Sequence, residues 1–367
     1  MRGTATARFV QVAPPSTRST EDVELAHRRA QRREEHARVV RRRRLVALAV
    51  LFVVLVLLAL LVSSIFGSSG SSPRPVRTTA TRNFAVGLRV MRFVDRSRTI
   101  TLPNGTTEPR TLVTYVRYPA LGASGATDVS GAPAASADGP YPLVIFGPGF
   151  ARAPSVYASL LQSWARAGYV VAAPEFPVEG PDAPGGPNES DLPNQPADMR
   201  FLITQLLAGS AAATGPLHGL IRSSEVAVGG HSDGGDSALA LAFDPTYRDP
   251  RVRAAVVLSG AEIPSAGEFE FPQGGPALLA TQGTADTISL PSDTYTYYAA
   301  AKRPKYLLRL VGATHVAPYS YQEPQLAIVK STTVAFLNAY LKNTPGALRA
   351  LASAGHVPGV ATLQAEP

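Results

Sequence analysis

Between Tyr141 and Leu341 the chain alternates short apolar runs with stretches of helical periodicity, and this alternation limits the fold more than any other feature. The runs "YPLVIFGPGF", "YVVAAPEF", "EVAVGGHSDGG", "AAVVLSG", "PALLATQG" and "YLLRLVG" are apolar throughout rather than on every second residue. Such strands need cover on both faces, which points to a parallel sheet between two helical layers. The helical stretches are "PSVYASLLQSWARAG", "QPADMRFLITQLL", "DSALALAF", "PSDTYTYYAAA" and "PQLAIVKSTTVAFLNAYL". In the second, Pro196 falls in the first turn and Asp198 is placed to face the helix N-terminus. Ahead of them, "VGLRVMRFVD" and "TLVTYVRYPA" flank the turn "LPNGTT" and predict an antiparallel hairpin. "LGASGATDVSGAPAASADG" carries no pattern and predicts a surface loop. The expected architecture is one α/β domain over residues 83–342, with residues 343–367 as a C-terminal tail.

Upstream, residues 45–62 read "LVALAVLFVVLVLLALLV", and with Ser63 to Phe66 they are long enough to span a bilayer as a helix. Arg41, Arg42, Arg43 and Arg44 abut its N-terminal end, so the positive-inside rule predicts a cytoplasmic N-terminus and an outward-facing remainder. The apolar core and the region before it are too long for a cleaved signal peptide, which favours a signal anchor over residues 45–66. Residues 1–44 form a basic cytoplasmic tail. Its stretch 24–44 suits a helix on anionic headgroups or, equally, a solvated topology signal. The sequence "GSSGSSPRPVRTTATR" within 67–82 reads as a flexible tether.

The net charge of +8 is not a nucleic-acid signal once mapped along the chain. Residues 1–44 hold twelve Arg against five acidic residues, leaving 23 basic and 22 acidic residues after Arg44. The main domain is nearly neutral, so no nucleic-acid partner is expected. The chain has no cysteine, which excludes disulfides, thiolate metal sites and a thiol nucleophile.

Gly230-His231-Ser232-Asp233-Gly234 matches G-x-S-x-G, with a strand before it and a helix after it. In that context the serine sits on a tight, strained turn above the sheet. Gly230 and Gly234 spare side chains that would collide with neighbouring backbone, and Gly235 lets the helix pack closely. A serine hydroxyl needs a base. Of six histidines, His27 and His36 precede the apolar segment, His218 precedes the serine, His356 lies in the tail, and His231 is expected to point away from its neighbour. His315, in "LVGATHVAP" after the last core strand, remains. Asp286, in "LLATQGTADTISLP" after the preceding strand, is placed to orient it, whereas Asp293 falls inside the next helix. The backbone N–H groups of Asp233 and of Phe150, in "FGPGF", are the expected oxyanion donors. The Asp233 side chain is given no role.

The segments "FAVGLRVMRFVD…RTLVTYVRYPA", "LVIFGPGF", "NQPADMRFLITQLL", "VGGHSDGG", "GTADTISLP" and "GATHVAP" together resemble the serine α/β-hydrolases over nearly all of residues 83–342. The resemblance is greatest to the branch of predicted dienelactone hydrolases, platelet-activating-factor acetylhydrolase-like and chlorophyllase-like esterases, and cutinase-like polyester hydrolases. It implies an α/β-hydrolase fold with nucleophile Ser232, acid Asp286, base His315 and oxyanion donors Phe150 and Asp233. Dienelactone hydrolases proper use a cysteine nucleophile, so their activity is not implied.

The stretch "GAEIPSAGEFEFPQGG" is too short to hold a large cap domain. The loop "FPVEGPDAPGGPNESDLPNQP", residues 176–196, is expected as a mobile rim, with Glu175, Glu179 and Asp182 as a solvated acidic cluster on it. Phe150, Tyr157, Phe176 and Tyr295 are candidate pocket walls. No cofactor or metal is expected. The leading expectation is a membrane-anchored, extracytoplasmic serine esterase or lipase acting on ester small molecules, lipids or polyesters. An acyltransferase on envelope lipids or glycans through the same acyl-enzyme, and a non-catalytic binding protein of the same fold, stand as alternatives. Oligomeric state is not encoded in any motif.

Overall fold

The computed structural model divides the chain into two units, Met1–Thr78 and Thr79–Pro367. The structure describes residues 83–263 and 269–367, all within the second unit. The expected anchor over 45–66 lies outside the described residues. Among the described residues no helix is long and apolar enough to cross a membrane.

The described residues form a ten-stranded sheet in the order β10-β9-β8-β7-β6-β4-β5-β2-β1-β3. The expected hairpin is β1 (Ala85–Thr101) and β2 (Thr107–Ala120), paired antiparallel. The patternless segment after it contributes β3 (Val129–Ser130), a short parallel addition to β1. The parallel core is β5 (Val170–Glu175), β4 (Tyr141–Gly147), β6 (Ile221–His231), β7 (Val252–Leu258), β8 (Ala277–Gly283) and β9 (Lys305–Leu310). From β4 the chain steps outward to β5, then returns past β4 to β6. The reversal opens a crevice between the C-terminal ends of β4 and β6, where ligands collect in open α/β sheets.

Both faces of the sheet are covered. Along β4, Leu143 and Ile145 join one apolar cluster while Val144 and Phe146 join the other. The first cluster is closed by α2 (Gln195–Ala211), α3 (Asp233–Phe243) and α4 (Pro291–Ala300). The second is closed by α1 (Ala158–Arg166) and α6 (Gln325–Tyr340), joined by the Trp164 indole N–H donating to Thr333 at 2.8 Å. Burial on both faces explains why these strands read as apolar runs and not as alternation.

One expectation is corrected here and another is extended. Residues 343–367 are not a tail: they carry α7 (Ala347–Ala354) and β10 (Ala361–Glu366), which pairs antiparallel with β9 and caps that edge of the sheet. The segment is rich in Ala and Gly, so its strand signal is short. Asp198 lies in the first turn of its helix, as expected, but makes no capping hydrogen bond there. It is fully buried, and the Arg110 guanidinium of β2 donates to both its carboxylate oxygens, at 2.6 and 2.7 Å. Arg98 joins Asp198 at 2.7 Å, and Arg110 also binds Asp191, at 3.0 Å through its second nitrogen. This buried network pins the end of the 176–196 loop to the hairpin. Removing one member would strand the other charges, at a cost of about 3–5 kcal/mol.

Candidate active site

The nucleophile turn is built by glycine. Ser232 follows β6 at φ 54° and ψ −129°, a left-handed conformation that costs a non-glycine residue roughly 1–3 kcal/mol. The turn is held by the Ser232 N–H donating to Leu258 C=O at 3.0 Å. A Cβ on Gly230 would lie 1.9 Å from the Gly234 carbonyl oxygen, and one on Gly234 would lie 2.0 Å from that of Gly147. The end of β4, the end of β6 and the first turn of α3 therefore cross at a distance only glycine permits.

Three loops at C-terminal strand ends converge on this turn. The His315 imidazole, after β9, is 2.9 Å from Ser232 Oγ through Nε2 and 2.8 Å from Asp286 Oδ2 through Nδ1. Asp286, after β8, is oriented by the Ile288 N–H at 3.0 Å and the Gln282 side-chain amide at 3.3 Å. Burial alone would raise the Asp286 pKa, but the hydrogen bonds from His315 and Ile288 hold it below the usual carboxylate range. Ser232, Asp286 and His315 are each buried. The structure thus brings together the three residues the sequence nominated, in nucleophile–base–acid geometry.

A cavity of about 300 Å³ opens over Ser232, lined by Gly149, Phe150, Arg152, Glu189, Ile288 and Val316 along with Asp233, His231 and His315. Both expected oxyanion residues, Phe150 and Asp233, border it. A larger cavity of about 500 Å³ lies at the opposite end of the sheet, near Asp249 and Pro276 where β7 and β8 begin. It is remote from the convergent loops.

Of the expected walls, only Phe150 lines the cavity; it is half-exposed. Tyr157 is fully buried beneath the turn, against Phe146 at 5.0 Å between ring centroids. Phe176 is buried in the first apolar cluster and touches a separate shallow groove. Tyr295 packs on that same cluster. Ile288, Val316, Arg152 and Glu189 line the cavity without having been marked by any motif.

His231 turns away from Ser232, as expected, and into the protein interior. Its Nδ1 is 2.8 Å from Tyr157 Oη and its Nε2 is 2.8 Å from the His315 carbonyl oxygen. Its ring lies 4.5 Å from that of His315. Burial, and next the nearby His315, push the His231 pKa down to about 3, so the ring is neutral. A neutral ring has one donor and one acceptor. The arrangement therefore assigns Nε2–H to the His315 carbonyl and leaves Nδ1 to accept from Tyr157, whose oxygen accepts from the Gly149 N–H at 3.3 Å. Sequence reasoning set His231 aside as a base and missed this bracing role.

The acidic rim also differs from expectation. Glu179 is only 1% exposed. Its carboxylate accepts from the Gln195 side-chain amide, and Gln195 in turn accepts from Ser237 Oγ at 3.0 Å. Among the described residues no group of three His, Asp or Glu side chains is placed to hold a metal ion, and Glu175, Glu179 and Asp182 do not form one.

A chlorophyllase family model matches residues 131–291, less than half of the chain, including Ser232 and Asp286 and stopping short of His315. The fold is similar to that of a ferulic acid esterase from Streptomyces cinnamoneus, with a TM-score of 0.54 and 21% identity, covering 75% of this chain and 95% of that one. No curated protein matches the chain.

Proposed function

We propose that the chain is an α/β-hydrolase of the esterase type, a carboxylic ester hydrolase, a reading supported by the chlorophyllase family match and by the fold it shares with a ferulic acid esterase. We propose that it works through Ser232 as nucleophile, His315 as base and Asp286 as acid, and that the continuous Ser232–His315–Asp286 hydrogen-bond line is the observation that carries this reading.

In this mechanism Ser232 Oγ attacks the ester carbonyl carbon while its proton passes to His315 Nε2. The imidazolium is stabilised by Asp286 through Nδ1–H. The carbonyl electron pair moves onto oxygen, which is met by the N–H groups of Phe150 and Asp233. Collapse of the tetrahedral intermediate breaks the bond to the alcohol oxygen, which takes the proton from His315. Water, deprotonated by His315, then attacks the acyl-enzyme, and a second collapse returns the proton to Ser232 and releases the acid. The open mouth and the Phe150, Ile288 and Val316 lining suit an apolar acyl or alcohol group of a small ester, a lipid or a polyester.

The apolar segment 45–66 and the Arg41–Arg44 run support a further part of the reading: the enzyme is anchored in a membrane with residues 67–82 as tether and the catalytic unit outside.

Hydrolysis of a short-chain nitrophenyl ester by the full chain and by Ser232→Ala tests the catalytic reading. The variant should lose on the order of 10⁴-fold or more in kcat. Equal activity would refute it. Added alcohols should leave the acid as the main product, whereas dominant ester exchange would make the enzyme an acyltransferase. Protease protection of sealed vesicles reads the topology, and a protected catalytic unit on the cytoplasmic side would refute the outward placement.

A further inference from the structure

The oxyanion hole proposed above has two halves, the Gly149–Ala151 turn and the first turn of α3, and both are held by Glu179. Its backbone carbonyl accepts from the Ala151 N–H at 3.1 Å. Ala151 is at φ 53°, so the turn that carries Phe150 is strained and needs such a tether. The Glu179 side chain reaches the other half, meeting Asp233 at the start of α3 and Gln195 at the start of α2.

The hydrogen-bond inventory of this contact is short by one donor. Glu179 Oε2 accepts from Gln195, and Asp233 Oδ1 accepts from Ser232 Oγ at 3.3 Å. The remaining oxygens, Glu179 Oε1 and Asp233 Oδ2, are both buried and both lack a donor. Two acceptors cannot satisfy each other, but one proton between them satisfies both.

We propose that Glu179 is a positioning residue for the oxyanion hole: it shares one proton with Asp233, tying the Phe150 turn to the Asp233 N–H across the nucleophile. The proposal rests on the serine-esterase reading above. With the proton present, the pair carries one negative charge instead of two, beside the N-terminus of α3, which favours it. The bonded Asp233 carboxylate is also a weaker competitor for the Ser232 hydroxyl, leaving that proton to His315 at 2.9 Å. Without it, two buried carboxylates repel, and both halves of the hole lose their common brace.

The protonation state agrees. Burial first, then the neighbouring Asp233, push the Glu179 pKa up to about 10. Asp191 and Glu189, on the loop before α2, act in the same direction. Asp191 is held by Arg110, and the exposed Glu189 and Arg152 border the cavity. On α3, Asp236 is also raised well above its usual range by burial, and accepts from the Ala261 N–H at 2.6 Å. The Tyr157 phenol is pushed up by burial and stays neutral throughout.

Glu179→Gln and Glu179→Ala in the full chain test this. The amide of Glu179→Gln can donate to Asp233 without a titrating proton. Its kcat near neutral pH should stay within about twofold of wild type. The wild-type kcat should fall as pH rises through about 10. In Glu179→Gln that fall should move up by at least about one pH unit. Glu179→Ala, which removes the donor, should lose kcat with KM little changed, as expected for a transition-state contact. An alkaline fall identical in wild type and Glu179→Gln, or an unchanged kcat in Glu179→Ala, would overturn the proposal.

A second readout needs no turnover. The infrared difference between wild type and Glu179→Gln at neutral pH should show a protonated-carboxyl carbonyl band, with Asp236 cancelling. The same band should appear when the pair is compared in a Ser232→Ala background. Its absence in both would overturn the shared proton while leaving the esterase reading intact. Full activity of Ser232→Ala would instead refute the esterase reading.

Discussion

Two polar circuits flank Ser232, and they are completed differently. On one flank, Gly149, Tyr157, His231 and the His315 carbonyl form a line of 3.3, 2.8 and 2.8 Å contacts in which each acceptor has a donor. Neutral His231 supplies one of each, and the line ends on the backbone of the base. On the other flank, Glu179 and Asp233 each present a buried oxygen with no donor. The first flank is insensitive to pH over a wide range because burial keeps its imidazole neutral down to about 3. The second depends on a proton that water can remove. One turn is thus braced by a fixed circuit on the base side and by a titratable one on the acid side. Both circuits also touch the Gly149–Ala151 turn, which carries the proposed oxyanion donor Phe150.

The largest expected break is in the line that both flanks serve. Asp286→Asn keeps the shape but offers His315 the wrong partner, and kcat should drop on the order of 10³–10⁴-fold while the Tm changes little. A drop below tenfold would mean that Asp286 does not orient the base. Next comes the neutral flank. Tyr157→Phe leaves the buried His231 Nδ1 without its donor, which should destabilise the fold by about 1–3 kcal/mol. The loosened His315 loop should lower kcat about tenfold, an effect read by thermal unfolding and steady-state rates on the same preparation. Unchanged stability and rate would remove the circuit from the account.

The pH dependence of stability sharpens the comparison most. The Glu179 pKa in the folded chain is raised above its ordinary 4.5, so between 4.5 and about 10 the folded state binds more protons than the unfolded state. That contribution to stability is complete below 4.5 and is lost as pH rises through about 10. Glu179→Gln should flatten the decline of stability with pH in this window by up to about 1.4 kcal/mol per pH unit, measured by denaturant unfolding at a series of pH values. An unchanged slope would show that the acid flank holds no extra proton.

The Ser232–His315–Asp286 line was largely legible in the sequence, whereas the Tyr157–His231 circuit beside it was not. Ser232, Asp286 and His315 each follow an apolar strand, and strand ends in a parallel sheet converge on one edge, so chain order sufficed to nominate them. The proposed oxyanion donors Phe150 and Asp233 followed from the same logic and border the same cavity. The acid flank was not legible. Glu179 sits in a loop of Pro, Gly and polar residues, and only the path of that loop turns its side chain inward. No local pattern encodes that path. Tyr157, Phe176 and Tyr295 show the converse limit, since an aromatic near a strand end can face the core or the site and spacing does not say which. Residues 343–367 went unrecognised because an edge strand needs only one covered face and leaves a short signal.

The central claim is that Ser232 is a nucleophile activated by His315. The direct measurement is peptide mass spectrometry of the full chain after exposure to an alkyl fluorophosphonate. The account predicts a single adduct on the peptide containing Ser232, formed far more slowly in His315→Ala. Label on another serine, or ester hydrolysis that proceeds with Ser232 unmodified at full inhibition, would contradict it.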